Sequence, residues 1–120
     1  MLQYLEKETS VAMNIIIAGN GKVGSTLTRL LSAEDHDITL IDTNAHVLEE
    51  SQEQYDVMSV SGNCASMNTL RQAGVKEADL LITATDADEI NLLSCTTAHC
   101  LNPKLHTIAR IRDPEYTEQI

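Results

Sequence analysis

Residues 14–24 read NIIIAGNGKVG, which joins a continuous apolar run to a glycine-rich turn. A short run rich in β-branched residues and ended by glycine is typical of a parallel strand that is buried on both faces. Beyond the turn, apolar residues recur at helical spacing, at Val23, Leu27, Leu30 and Leu31. The stretch therefore predicts a strand over 14–18, a tight turn, and a helix over 22–33.

The same alternation of strands and helices continues along the chain. Further strands are predicted over 38–41, 56–60, 80–84 and 105–111, and further helices near 44–54, 66–73 and 87–101. Asp113 and Pro114 have the residue types of a helix cap and a first helical residue, so another helix begins there. Five strands separated by four helical segments predict a single-domain α/β fold, a Rossmann-like doubly wound parallel sheet with helices on both faces.

The glycine-rich turn has the spacing Gly-x-Gly-x-x-Gly between a strand and a helix, the pattern of dinucleotide-binding folds. Gly19 permits the tight turn, Gly21 removes a Cβ where a pyrophosphate approaches, and Gly24 allows the helix to pack closely on the strand. The N–H groups at the helix start and the helix dipole favour the phosphate charge. We expect the cofactor phosphates on Gly19, Asn20, Gly21, Lys22, Val23 and Gly24; a glycine-rich turn without a ligand is the alternative.

Asp42 ends the second strand, 18 residues beyond Gly24. A carboxylate there accepts hydrogen bonds from a ribose, whereas the 2′-phosphate of NADP would be repelled. The position therefore favours NAD or NADH over NADP. The adenosine ribose of ATP, ADP or AMP would be accepted equally well, and Asp42 is alternatively a cap for the helix near Asn44.

The end of the fourth strand faces the same crevice, because ligands of open α/β sheets lie outside the carboxyl ends of the strands. Thr83, Ala84 and Thr85 are therefore expected to line it, with the two hydroxyls bonding ribose or phosphate oxygens. Three acids follow, Asp86, Asp88 and Glu89. Their alternative role is only to start a helix, where negative charge complements the dipole.

Composition excludes several classes of function. The formal net charge is −10 and the eight Lys and Arg residues form no basic run, so we expect no nucleic-acid partner. No apolar stretch is long enough to cross a bilayer, so we expect no direct membrane insertion. Cys64, Cys95 and Cys100 lack metal-ligand spacing and are expected to be reduced thiols in the cytoplasm. The four histidines are scattered, so we expect neither a metal site nor catalytic residues.

Seven segments carry a more specific pattern by their order and spacing: Ile16–Gly24, Asp42, Gly62–Cys64, Leu70–Val75, Ala78–Thr85, Asp88–Asn91 and Ala109–Tyr116. From Met13 to about Gln119 the chain thereby resembles the TrkA-N domains, also called KTN or RCK N-terminal domains. We expect residues 13–120 to be this nucleotide-binding domain and residues 1–12 to be an N-terminal extension or a tag remnant. Family members usually continue into a crossover helix and a C-terminal ligand domain, so we expect such a domain to be missing here.

The resemblance implies a cytoplasmic regulatory subunit, peripheral at the inner face of the membrane, that controls a Trk-type potassium transporter. Such a domain binds NAD or NADH without turnover, and its nucleotide state changes the shape of a homodimer or higher homo-oligomer that gates the membrane subunit. Two alternatives remain open. One is an ATP- or ADP-sensing domain of a potassium channel or antiporter, and the other is the cofactor domain of a truncated NAD-dependent oxidoreductase.

The resemblance also adds residues to the expected site, which are Thr43, Gly62, Asn63, Cys64 and Arg110. Asn63 stands where the family usually has Asp, so an acceptor is kept and a charge is lost. Arg110 fits the end of the fifth strand, where it meets phosphate or a dimer partner. Arg112 also fits the end of the fifth strand in the family pattern, and its alternative is a solvated surface charge.

Overall fold

The central sheet has five parallel strands in the order β3-β2-β1-β4-β5. In the computed structural model, which describes residues 11–118, the elements follow in this order: β1 (Asn14–Ala18), α1 (Lys22–Ser32), β2 (Asp37–Asp42), α2 (Ala45–Gln54), β3 (Met58–Ser61), α3 (Met67–Gln72), a 3-10 turn (Val75–Glu77), β4 (Leu80–Thr83), α4 (Asp88–Leu101), β5 (His106–Ala109) and α5 (Pro114–Glu118). The predicted extension, residues 1–12, lies for its first ten residues outside the described range.

Two apolar clusters cover the two faces of the sheet. Alternate residues of β1 point to opposite faces, so Ile15 and Ile17 pack with Leu48 of α2 and with partly buried residues of α1. Ile16 joins the other cluster with Leu70 of α3 and further residues of α4. The predicted doubly wound fold, with helices on both faces, is confirmed.

Local sequence signals explain where the helices begin. Asn44 caps α2, since its side-chain oxygen accepts hydrogen bonds from the N–H groups of His46 and Val47, and Ser66 caps α3. The predicted helix over 66–73 ends at Gln72, and Gly74 follows with φ of +82°, a left-handed conformation suited to glycine. The 3-10 turn after Gly74 is an element that the periodicity does not predict.

The predicted fifth strand is too long, because β5 stops at Ala109 instead of Ile111. β5 pairs only with β4, whose last paired residue is Thr83. Beyond that point the backbone of Arg110 donates to the carbonyl of Thr83 at 2.8 Å, and then leaves the sheet.

The strand order determines where a ligand can bind. The chain proceeds from β1 outward to β2 and β3 on one side, and then returns to β4 and β5 on the other side of β1. The helices that follow β1 and β4 therefore leave the sheet in opposite directions, which opens a crevice at the carboxyl ends of the strands.

Candidate nucleotide site

A cleft of about 460 Å³ lies at the carboxyl ends of the strands, within the range of small-molecule sites. Nine residues of the predicted site line it: Gly19, Gly21, Asp42, Thr43, Gly62, Asn63, Cys64, Ala84 and Thr85. Four lining residues lie outside that predicted set: Ile41, Asp86, Ala87 and Ile90. The fold thus brings the loops after β1, β2, β3 and β4 together around one space.

The three glycines of the turn have different surroundings. Gly19 has φ of +97°, and a Cβ there would lie 2.8 Å from the backbone of Ala84 and Thr85. A Cβ on Gly24 would lie 1.7 Å from the carbonyl oxygen of Gly19. A Cβ on Gly21 would meet no atom within 4 Å. Two of the glycines are therefore required by packing, whereas Gly21 leaves open space where α1 begins.

The first turn of α1 has features that suit an anion. It has no side-chain cap and no acidic residue, whereas the first turn of α2 is capped by Asn44 and that of α3 by Ser66. The first N–H groups of an α-helix have no partner within the helix, so these groups and the positive end of the helix dipole lie next to Gly21, which lines the cleft. This arrangement fits a phosphate group.

Asp42 is held in position by two backbone N–H groups. Its Oδ2 accepts from Asn20 at 2.8 Å and its Oδ1 accepts from Asn44 at 2.9 Å. The alternative role as a helix cap does not apply, because Asn44 is the cap of α2. Each carboxylate oxygen has a second lone pair, so the oriented Asp42 can still accept hydrogen bonds from a ribose.

Six residues of the predicted site do not line the cleft: Asn20, Lys22, Val23, Gly24, Thr83 and Arg110. The side chain of Asn20 faces α2, where its nitrogen donates to the carbonyl of Val47 at 3.3 Å and to the hydroxyl of Ser51 at 2.5 Å. Its side-chain oxygen is buried and has no hydrogen-bond partner in the described part of the chain. Asn20 therefore contributes to the cleft through its backbone N–H, which orients Asp42.

Lys22, Val23 and Gly24 belong to the first turn of α1. Lys22 is exposed, Val23 is half-buried, and Gly24 is buried against the glycine turn. The backbone N–H groups of these residues lie at the start of the helix, and Lys22 also carries an exposed ammonium group there.

Thr83 is fully buried, and its hydroxyl donates to the carbonyl of Asn91 at 3.1 Å. It is therefore occupied inside the fold and does not face a ligand. Thr85 does line the cleft, and its hydroxyl donates to the side-chain oxygen of Asn91 at 2.7 Å. Its oxygen also accepts the N–H of Ala87 at 3.3 Å, which leaves one lone pair for a ligand.

Asn91 organises this wall, although the predicted site does not include it. It is fully buried; its oxygen accepts from the N–H and hydroxyl of Thr85, and its nitrogen donates to the carbonyls of Thr85 and Arg110 at 3.1 and 2.9 Å. One amide side chain thus joins the loop after β4 to the end of β5. The sequence signals are a polar residue on the inner side of a predicted helix and its place in the segment Asp88–Asn91 of the family pattern.

The loop after β3 forms the opposite wall. The side-chain oxygen of Asn63 accepts the N–H of Ala65 at 2.9 Å, so its amide nitrogen is the group left for a ligand. Cys64 is buried beside it, and burial raises the pKa of its thiol above the ordinary value. Ile90, which is half-buried, adds apolar surface that suits a flat base, and Ile41 lies fully buried behind the wall.

Charged groups stand at the rim on the β4 side. The Nη1 atom of Arg110 lies 3.8 Å from Oδ1 of Asp86, whose side chain is 96% exposed. The Nη2 atom of Arg112 donates to the carbonyl of Asp86 at 2.6 Å. Arg112 is therefore not simply a solvated charge, since it holds the loop that follows β4.

The other two acids of this segment hold the chain after β5. Asp88 accepts the backbone N–H groups of Arg112 and Asp113, which lowers the pKa of its carboxyl. Glu89 accepts the hydroxyl of Tyr116 at 2.6 Å, which lowers the pKa of Glu89 and raises that of Tyr116. These acids do start α4, as the alternative interpretation holds, and they also fix the start of α5.

The described residues form neither a metal site nor a membrane-spanning helix. No group of three or more His, Cys, Asp or Glu side chains in residues 11–118 is arranged to hold a metal ion. None of the helices described is both long and apolar enough to cross a membrane.

Comparison with known proteins places these features in a family. The family model "TrkA-N domain" matches residues 15–120. The Trk system potassium uptake protein TrkA of Vibrio alginolyticus is 43% identical over 104 residues, which are 87% of this chain but 23% of that protein. The chain thus spans about a quarter of the length of this relative.

Solved structures agree with the sequence comparison. The Kef CTD of Shewanella denitrificans in its AMP-bound form is 33% identical with a TM-score of 0.77, covering 88% of this chain and 64% of that chain. The TrkA-N domain of the inner membrane protein ybaL of Escherichia coli is 26% identical with a TM-score of 0.80, and the match covers 89% of this chain and 78% of that chain. With a family model that matches residues 15–120 and a fold shared with these structures, the chain belongs to the TrkA-N domain family.

Proposed function

We propose that the chain is a regulatory domain that binds NAD or NADH and thereby controls potassium uptake through a Trk-type membrane transporter. The observation that carries this proposal is the open space beside Gly21 at the uncapped start of α1, with the oriented Asp42 at the end of the neighbouring strand. The relatives named as TrkA proteins support the transport role.

The cleft suits a dinucleotide in three parts. A pyrophosphate fits beside Gly21, where N–H groups are unpaired and a Cβ would stand in its place. An adenosine ribose fits against Asp42, which is fixed by two N–H groups and keeps free lone pairs. The adenine base fits the wall that includes Asn63, Cys64 and Ile90.

We propose that the domain binds the nucleotide without chemical turnover. The thiol of Cys64 lines the cleft, but its raised pKa keeps it protonated at neutral pH, when only the thiolate is a strong nucleophile. Asp42 accepts two backbone N–H groups and is oriented to receive hydroxyl groups, a binding role. The relatives' names describe potassium transport and likewise support binding over catalysis.

The remaining parts of the proposal concern the whole protein. We place the domain in the cytoplasm, at the inner face of the membrane, as a homodimer or higher homo-oligomer that contacts the membrane subunit of the transporter. A nucleotide can regulate such an assembly only by binding one of its conformations more tightly than the other. The difference in affinity between NAD and NADH, or between ADP and ATP, then determines which conformation is populated.

A second candidate is an adenine nucleotide sensor that responds to AMP, ADP or ATP, in a channel or antiporter context. The observation that favours it is the AMP-bound Kef CTD structure, which is 33% identical to this chain. Asp42 suits the ribose of either class of ligand, so binding measurements must separate them.

The test is calorimetric titration of the domain with NADH, NAD⁺, NADPH, AMP, ADP and ATP at one ionic strength. NADH or NAD⁺ should bind most tightly, and Asp42→Arg should weaken NADH at least tenfold while improving NADPH. Asp56→Arg makes the same charge change at an exposed position away from the cleft and should bind like the parent. Preference for ATP or ADP would select the second candidate, and binding of no nucleotide would reject both.

A further inference from the structure

Opposite charges meet at the rim of the cleft on the β4 side. Asp86 lines the cleft, and its carboxylate lies 3.8 Å from the guanidinium of Arg110. Asp42 is the other carboxylate that lines the cleft. A phosphate that extends from Gly21 toward β4 therefore approaches a carboxylate whose nearest cation is already paired.

Arg110 has a backbone held by two hydrogen bonds and a side chain that is 29% exposed and held by a weaker contact. Its N–H donates to the carbonyl of Thr83 at 2.8 Å, and its carbonyl accepts from Asn91 at 2.9 Å. The side chain forms one long ion pair, with Asp86. Arg112, in contrast, is held at both its backbone N–H and its guanidinium, by Asp88 and by the carbonyl of Asp86.

We propose that Asp86 is a selectivity residue, which makes the cleft discriminate against nucleotides that carry free terminal phosphates. This inference rests on the proposed nucleotide site and names what that site selects. Asp86 acts in two ways. Its negative charge repels an extended phosphate chain, and its ion pair with Arg110 keeps that guanidinium from binding the phosphates. A dinucleotide has both phosphates esterified and carries less negative charge at this end, so it loses less affinity than ATP does.

The test measures how affinity depends on phosphate charge in Asp86→Asn. Affinity for ATP should rise about three- to five-fold, the scale of one exposed charge pair, with a smaller gain for ADP and a change within about two-fold for NAD⁺. The gain should shrink in about 0.5 M NaCl, where screening is strong. Arg110→Gln added to Asp86→Asn should remove most of the gain for ATP, because the released cation is then absent.

Glu53→Gln is the matched control, since it removes one exposed acid from α2 without touching the cleft. It should leave the ratio of ATP to NAD⁺ affinity at the parent value. The side chain of Asp86 is 96% exposed, so Asp86→Asn should fold like the parent. Thermal unfolding checks this before the titrations.

The outcomes separate the inference from the function on which it rests. A parent that binds nucleotides, together with an Asp86→Asn variant that keeps the parent's ATP to NAD⁺ ratio, overturns the inference and leaves the proposed function intact. An equal gain for every nucleotide also overturns it, because selectivity is then unchanged. A parent that binds none of these nucleotides overturns both.

Discussion

Gly21 and Gly24 stand three residues apart in one turn, and the same substitution should have opposite consequences at the two positions. Gly21→Ala places a methyl group in open space beside α1, so the free energy of unfolding should change by no more than about 1 kcal/mol. Nucleotide affinity should fall at least tenfold, because the methyl group occupies the phosphate position. Gly24→Ala should lower the free energy of unfolding by about 3 kcal/mol or more, because its Cβ overlaps a backbone carbonyl.

Urea unfolding and nucleotide titration of the two variants check this pair, and each variant is the control for the other. A Gly21→Ala variant that binds as tightly as the parent would show that the phosphates lie elsewhere. A stable Gly24→Ala variant would show that the helix can move away from the turn.

Single residues show how far the sequence alone predicts the site. The places of Asp42, Gly19 and Gly21 at the cleft were predictable, because the pattern puts these residues at or just beyond the ends of strands that share one edge of the sheet. The direction of a side chain was not predictable from its position in the sequence. Thr83 and Asn20 lie next to residues that line the cleft, but their side chains form hydrogen bonds inside the fold. Asn91 escapes detection because its role depends on two loops that only the folded chain brings together.

At the scale of elements, the start of α4 holds the segment that leaves β5. Asp88 is 8% exposed and accepts the N–H groups of residues 112 and 113, immediately before α5 begins. The loop that precedes α4 lines the cleft through Asp86 and Ala87. The wall of the cleft and the anchor of α5 are therefore adjacent parts of one short stretch of chain.

The lowered pKa of Asp88 predicts how this anchor responds to acid. A carboxyl whose pKa is lower in the folded state contributes stability that is fully present above its ordinary pKa, about 4, and is lost as pH falls through the lowered value. The free energy of unfolding should therefore decrease with acidification below about pH 4. Asp88→Asn should be less stable than the parent at neutral pH and should show a weaker decrease in acid.

Urea unfolding from pH 7 down to pH 3 measures this dependence, and amide hydrogen exchange at Arg112 and Asp113 gives a local measure. Both amides should exchange faster in Asp88→Asn, since their acceptor is weakened. Asp56→Asn, at an exposed acid outside the anchor, should exchange like the parent at these positions. Unchanged protection of both amides in Asp88→Asn would mean that other contacts hold the start of α5.

The elements themselves were largely predictable, because helix caps and apolar periodicity act locally. Asn44 and Ser66 begin their helices as their residue types suggest. The length of β5 was less predictable, since a strand ends where its partner ends, and β4 offers no paired residue beyond Thr83. The end of β5 therefore depends on its pairing with β4, which the sequence of β5 alone does not show.

The whole molecule carries far more negative than positive charge, which makes its stability sensitive to salt. Eighteen acidic residues face eight lysines and arginines. Among the described residues, the ion pair between Arg110 and Asp86 is the one that does not require a protonated histidine. Repulsion therefore exceeds the specific attraction that salt could weaken.

We accordingly predict that NaCl stabilises the domain. In about 10 mM salt the screening length is about 30 Å, larger than the 14.5 Å radius of gyration, so charges across the whole molecule repel one another. Raising NaCl to about 0.2 M should increase Tm by about 4 °C, which corresponds to roughly 1 kcal/mol for a domain of this size. Differential scanning calorimetry measures the change.

The same reasoning predicts a variant whose stability depends less on salt. Glu49 and Glu53 are exposed and lie four residues apart on α2, where like charges repel. Changing both to Gln should raise Tm in low salt and reduce the slope of Tm against salt, because fewer repulsive pairs remain to be screened. A parent Tm that falls as NaCl is added would contradict this prediction, because it would mean that attractive contacts between charges outweigh the net repulsion.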